Sequence, residues 1–151
     1  MTNILTNQTD IGTIIEAVQD LVGAVTGIRS APYDPPDQAS DFPFAIAYPA
    51  KGHYTMANGF DIKDSLHNIV IELHYPRVDS ARTVAKLKPY VRLIPQAVAA
   101  SADIAALCEG FEGIDYEMIP MMYGETKTFG LHFTITNLKL YPYGVKDNPT
   151  F

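Results

Sequence analysis

The sequence predicts a single α+β domain, a mostly antiparallel sheet of four to five strands with two main helices packed on one face. Three observations predict it. Residues 9–26 and 79–94 repeat apolar side chains at helical spacing, residues 66–75 and 126–141 alternate in period two, and helices stand apart from hairpins along the chain. A length of 151 residues suits one core, so residues 1–151 are expected to form one unit in the order α-β-β-β-α-β-β.

The first helix rests on Ile11, Ile14, Ile15, Val18, Leu21, Val22 and Val25, which fill an arc of about 120° with Glu16 and Asp20 opposite. Thr9 or Asp10 suits its N-cap, and Gly27 suits the left-handed residue at its end. A short strand is expected at 28–30. Residues 31–41 (APYDPPDQASD) hold three prolines and three aspartates, so they read as an exposed acidic loop unable to pair in a sheet. Phe42, Phe44, Ile46 and Tyr48 then alternate with Pro43, Ala45, Ala47 and Pro49, which predicts a strand whose small-residue side faces another backbone or chain.

Residues 51–65 read as a long loop or projecting hairpin around Asn58-Gly59, a pair that accepts the positive φ of a type I′ turn. In residues 66–75, Ile69, Ile71, Leu73 and Tyr75 point one way, and Asn68, Val70, Glu72 and His74 point the other. Pro76 closes that strand. Asp79 or Ser80 caps a second helix with Val84, Leu87, Val91 and Ile94 on its buried face, which Pro89 is expected to bend or split. A short helix capped by Ser101 and ended by Gly110 follows, then strands over 111–122 and 126–141 joined at Tyr123-Gly124-Glu125. Residues 142–151 read as a tail without a core of its own.

Composition narrows function. Hydrophobic residues make up 47% and charged residues 19%, which excludes a disordered or coiled-coil chain. No apolar run reaches the roughly 18–20 residues of a transmembrane helix, and no basic n-region precedes an apolar stretch as in a secretory signal. One cysteine, Cys108, leaves no intramolecular disulfide or cysteine-based zinc site, so a reducing compartment is the default. A net charge of -6 opposes general nucleic-acid binding.

Candidate chemistry is sparse. His53, His67, His74 and His132 suggest a metal only at first sight, because strand parity puts His67 and His74 on opposite faces. His74 and His132 meet across a sheet without an evident carboxylate, and solvated or interface histidines are the expectation. Cys108 sits among alanines, where a small buried hydrophobe is expected. Asp115 and Glu117 share a strand face, which fits a solvated or lumen-facing surface better than an acid/base pair. No nucleophile elbow, phosphate loop or zinc-protease motif is present, so neither catalytic residues, cofactor nor metal is expected.

Charge is unevenly placed. Arg77, Arg82, Lys86, Lys88 and Arg92 fall in one segment whose only acid is Asp79, so residues 77–92 carry +4 and the remainder -10. Such a chain suits either a solvated helix face or head-to-tail docking of its basic helix, with Arg77, onto acids of the next copy, for which Asp34, Asp37 and Asp41 in the proline-rich loop are candidates, while nucleic-acid binding by the helix lacks interleaved aromatics. The extensions at 31–41, 51–65 and 142–151 are further candidates for contacts with neighbours.

Gly27-Ile28-Arg29 after the first helix, the loop leading to Phe42-Pro43-Phe44-Ala45-Ile46-Ala47-Tyr48, the strand at 66–75, the His74-Tyr75-Pro76 exit into the helix at 79–94 and the closing hairpin resemble the tail terminators of long-tailed bacteriophages, also called tail-completion or head–tail joining proteins. The resemblance implies a virion structural protein, assembled in the host cytoplasm, whose subunits form a ring, usually of six. That ring caps the tail tube at the head–tail junction and meets the neck, and DNA passes through its lumen without specific binding. Glu72, Glu112, Asp115 and Glu117 are its candidate lumen-facing acids, since an acidic lining repels phosphate. No membrane partner and no catalytic residue are implied. A neck or tail-tube protein of the same virion is the alternative, and a small enzyme or ligand-binding domain using His74 and His132 is the alternative of another class.

Overall fold

The computed structural model of the chain describes residues 10–33, 41–59, 61–77 and 80–140. It is an α+β fold in which one antiparallel sheet of five strands carries helices on one face. The elements are α1 (Ile11–Gly23), β1 (Phe44–Ala57), β2 (Asp61–Pro76), α2 (Ser80–Ala100), α3 (Ala102–Leu107), β3 (Cys108–Gly110), β4 (Gly113–Tyr123) and β5 (Thr126–Leu140). Strands β1, β2 and β5 lie side by side, and the far side of β5 takes both β4 and the short β3.

The helices form where the sequence placed their stripes. Asp10 caps α1 by accepting from the Thr13 amide at 2.8 Å, and Ser101 caps α3 by accepting from the Ile104 amide at 3.1 Å. Ile14, Val18 and Val22 of α1 and Leu87, Ile94 and Val98 of α2 meet Ile69, Ile71 and Leu73 of β2 and Leu131, Phe133 and Ile135 of β5. All of these are buried, each contributing about 1.5–3 kcal/mol. Tyr90 of α2 donates its hydroxyl to the Thr26 carbonyl at 3.0 Å, fastening the turn after α1 beneath α2. Gly27, at φ +95, closes that turn, and any Cβ there would run into the Tyr90 hydroxyl.

Several expectations change. Residues 28–30 make a single parallel bridge, Ser30 with Phe44, rather than a strand. Helix α1 ends at Gly23, and Gly27 sits in the turn beyond it. Helix α2 is not split at Pro89: it runs 21 residues through both Pro89 and Pro95. Pro89 and Ala85, whose carbonyl loses its helical donor, are exposed, so water satisfies the orphaned group. Of the two readings of residues 51–65 the projecting hairpin holds and the long loop does not, since they form the outer halves of β1 and β2, paired up to Ala57 with Asp61 around Asn58 (φ 45) and Gly59 (φ 88). The small-residue side of β1 does face another backbone as expected, since Ala45 and Ala47 turn inward and let α1 approach closely, while Phe44 and Ile46 face away from the helices. The short β3 was not expected. The acidic loop residues Asp34 and Asp37 and the tail at 142–151 lie outside the described residues.

Candidate functional site

Strand register builds the helix-free face of the sheet in rows. One row crosses Phe44, His74, Gly130 and Ile119; the next crosses Ile46, Glu72, His132 and Glu117; a third crosses Tyr48, Val70, Thr134 and Asp115. Three of the four candidate lumen acids, Glu72, Asp115 and Glu117, therefore share one face. Glu112 does not sit in these rows: it precedes β4, bonds its amide to the Thr136 carbonyl and accepts from the Asn137 amide nitrogen at 3.3 Å.

A continuous polar chain runs through the first two rows. The Tyr48 hydroxyl donates to Glu72 Oε2 at 2.5 Å, Glu72 Oε1 lies 2.9 Å from His74 Nε2, and His74 Nδ1 lies 2.6 Å from Thr128 Oγ1. His74 and Thr128 are fully buried and Glu72 is 15% exposed. Phe44 and Tyr123 close over the imidazole at ring-centre distances of 6.2 and 5.8 Å, and pack on each other edge-to-face at 5.0 Å. Arg77 completes the enclosure by donating from Nε to the Thr128 carbonyl at 3.1 Å and from a terminal nitrogen to the Met121 carbonyl at 2.9 Å.

The electrostatics follow from this enclosure. Burial alone would raise the Glu72 carboxyl, but hydrogen bonds from His74 and Tyr48, with the nearby His132 imidazole, outweigh it and hold Glu72 below its ordinary value. The Tyr48 hydroxyl is pushed well above the usual tyrosine range by burial and by its bond to Glu72. His67, buried beside Ser65 and Gly52, is held below the usual imidazole value by desolvation. Burial raises the Cys108 thiol, whose sulfur donates to the Ile104 carbonyl at 3.3 Å, as fits a small core residue.

Two expectations about histidine are thereby corrected. His67 and His74 are buried rather than solvated, and a carboxylate does stand by His74 and His132, namely Glu72. Among the described residues no group of three or more His, Cys, Asp or Glu side chains is placed to hold a metal ion. The hydroxyl–imidazole–carboxylate order of Thr128, His74 and Glu72 resembles a nucleophile relay in connectivity only, because neither Thr128 nor His74 has surface for a substrate to reach. It acts as an internal tie between β1, β2 and β5 on the face without helices. Glu72-x-His74 on one strand face was a legible hint of it; Tyr48 and Thr128 were not singled out, since only register brings them in.

The cations divide as well. Arg77 belongs to the tie just described rather than to the helix. Arg82, Lys86, Lys88 and Arg92 are exposed on α2, with Arg82 and Lys86 one helical turn apart along one flank and Lys88 and Arg92 along the other. Asp41 is exposed ahead of β1. Among the described residues no helix is long and apolar enough to cross a membrane. No protein-family model matches the chain, and a search of curated proteins finds no match.

Proposed function

We propose that the protein is a structural virion component, a tail-terminator subunit that closes with its copies into a ring at the end of a phage tail tube. The observation that carries this reading is a group of three carboxylates on the helix-free face of the sheet, where Lys51 also stands, opposite the exposed cations of α2, which share the helix-covered side with Glu16 and Asp20 of α1. Cations project from α2 on the helix-covered side, while Glu72, Asp115 and Glu117 line the opposite face. Copies arranged around an axis with the helix-free face inward present carboxylates to passing DNA, whose phosphates they repel, and turn the exposed α2 cations toward acids such as Asp41 on the next copy. The tail tube on one side and the neck on the other are the partners of such a ring, and DNA is cargo rather than ligand.

Quantitative mass spectrometry of purified virus particles from the source culture tests the reading. About six copies per particle, counted against the major capsid protein, is the expected result for a single junction ring. Hundreds of copies assign it to the tube, and absence from the particles overturns a virion role altogether.

A further inference from the structure

Of the six large apolar side chains exposed among the described residues, four lie on the two outer strands of the sheet, the others being Tyr33 in the loop after α1 and Leu66 on β2. Tyr54 is 43% and Met56 is 48% exposed on the outer half of β1, while Tyr116 is 53% and Met122 is 57% exposed on β4. Among the described residues β4 pairs as a strand only with β5, with its Met121 carbonyl also held by Arg77, and β1 pairs with β2 and, at its start, with Ser30. Among the described residues neither outer edge is paired with a further strand, so backbone groups there, Pro120 with no N–H excepted, lie beside apolar side chains, a combination that soluble sheets ordinarily blunt. Among the described residues no helix packs on residues 51–57 of β1, and a two-stranded ribbon standing alone is only marginally stable.

We propose that these edges are the two halves of one interface, in which β4 of one copy pairs with the outer half of β1 of the next copy. The two edges match on both faces. Register places Tyr54, like Tyr116 and Met122, on the helix-bearing face, and places Lys51 and His53 on the helix-free face with Asp115 and Glu117. Joining them sets apolar against apolar on one side and a cation among carboxylates on the other. Residues 112–125 carry four acids and no base, whereas β1 carries Lys51 and no acid, so the junction avoids acid against acid. Direction agrees too. Strand β4 runs opposite to β1 within the sheet, and rotation about a ring axis preserves that, so the junction is antiparallel like every other pair in the fold. In the sheet Asp115 lies level with Tyr48, so bringing Lys51 and Tyr54 opposite β4 slips each copy along its strands, which is the stagger that closing a sheet requires.

The contact is heterologous, one edge meeting a different edge, and this generates rings or filaments rather than isolated dimers. It deepens the ring reading by naming the surfaces that meet, yet it does not depend on a virion role. Mixing two edge variants tests it. Tyr116→Glu with Met122→Glu spoils the β4 edge and spares the hairpin; Lys51→Glu with Tyr54→Glu does the reverse. All four side chains are exposed, and an unchanged thermal melt checks that each variant folds, with Met122→Glu alone as the milder version. By sedimentation velocity the wild type is expected to form assemblies larger than a dimer, and each variant alone is expected to weaken self-association at least about tenfold. An equimolar mixture is expected to give a dimer and nothing larger, because one intact junction remains. A wild type that stays monomeric at every concentration, a variant that assembles like wild type, or a mixture giving any product other than a dimer overturns the pairing. Rings that survive both variants overturn it and leave the terminator reading standing; a dimer from the mixture, with no copies found in virus particles, supports the pairing and removes that reading.

Discussion

On β2 the His74 imidazole places Nε2 2.9 Å from Oε1 of Glu72, two residues back on the same strand and on the face that carries no helix. A carboxylate and an imidazole on one strand face need cover to be buried together. Here Phe44 and Tyr123 supply the cover, and Tyr48 and Thr128 satisfy the remaining atoms. Glu72→Gln keeps the shape of the side chain while weakening both of its bonds, so it should cost about 1–3 kcal/mol in urea unfolding. His74→Phe should cost a similar amount by stranding Glu72 and Thr128. The double variant should cost less than the sum, and additivity would show that the two do not act as one unit.

Acid should weaken the fold in two steps. His67 and Glu72 both titrate lower in the folded protein than their ordinary values, because burial disfavours charged imidazole in one and hydrogen bonds favour the carboxylate in the other. A depressed folded value means that stability is complete above the unfolded value and is lost as pH falls through the folded one. The first loss therefore begins below about pH 6.5 and the second below about pH 4.3, the ordinary values for the two groups. Melting temperature followed from pH 8 to pH 3 should show both. His67→Gln should remove the upper step and Glu72→Gln the lower, and an unchanged profile in either variant would assign that step elsewhere.

Gly130 lies directly across from His74 on β5, and a Cβ there would collide with the Leu73 backbone carbonyl and press on the Met121 methyl. Backbone does not yield as a side chain tip does. Gly130→Ala should therefore cost at least about 3 kcal/mol, above the usual range for overpacking. Gly59→Ala is the control: its φ of +88 strains any other residue, but nothing stands within 4 Å of the added methyl, so about 1–2 kcal/mol is expected. Equal losses in the two variants would refute the steric account.

These particulars show what was legible in the chain and what was not. Local signals were sound: Asp10 and Ser101 cap their helices, Asn58-Gly59 turns the hairpin, and the alternations of β2 and β5 name the residues that face the core. Strand length in the outer hairpin was hidden because residues 51–57 are largely exposed on both faces, and the register slips at Pro49/Lys51 and Thr55/Met56 erase any clean period. The small side of β1 was legible as a face meeting another backbone, and the structure supplies that backbone as α1 against Ala45 and Ala47. The Tyr48–Glu72–His74–Thr128 chain joins three strands over long separations, so no local pattern could draw it. Arg77 looked like part of a cationic segment until the carbonyls of Thr128 and Met121 claimed it.

The cations of α2 set folding and assembly against each other. Arg82 with Lys86 and Lys88 with Arg92 are like charges one turn apart, and each such pair weakens a helix by about 0.2–0.5 kcal/mol. Replacing Lys86 and Arg92 together with alanine relieves both repulsions and adds helix propensity, so the monomer should hold its stability or gain a few tenths of a kcal/mol. If these side chains meet a neighbour's acids, the same change should weaken self-association and flatten its dependence on salt, since attraction between exposed charges fades beyond a screening length of about 10 Å at 0.1 M salt. Sedimentation at low and high salt reads the second effect and thermal unfolding the first. Assembly that matches wild type at both salt concentrations would show that the α2 cations are a solvated face and leave the sheet edges as the sole junction.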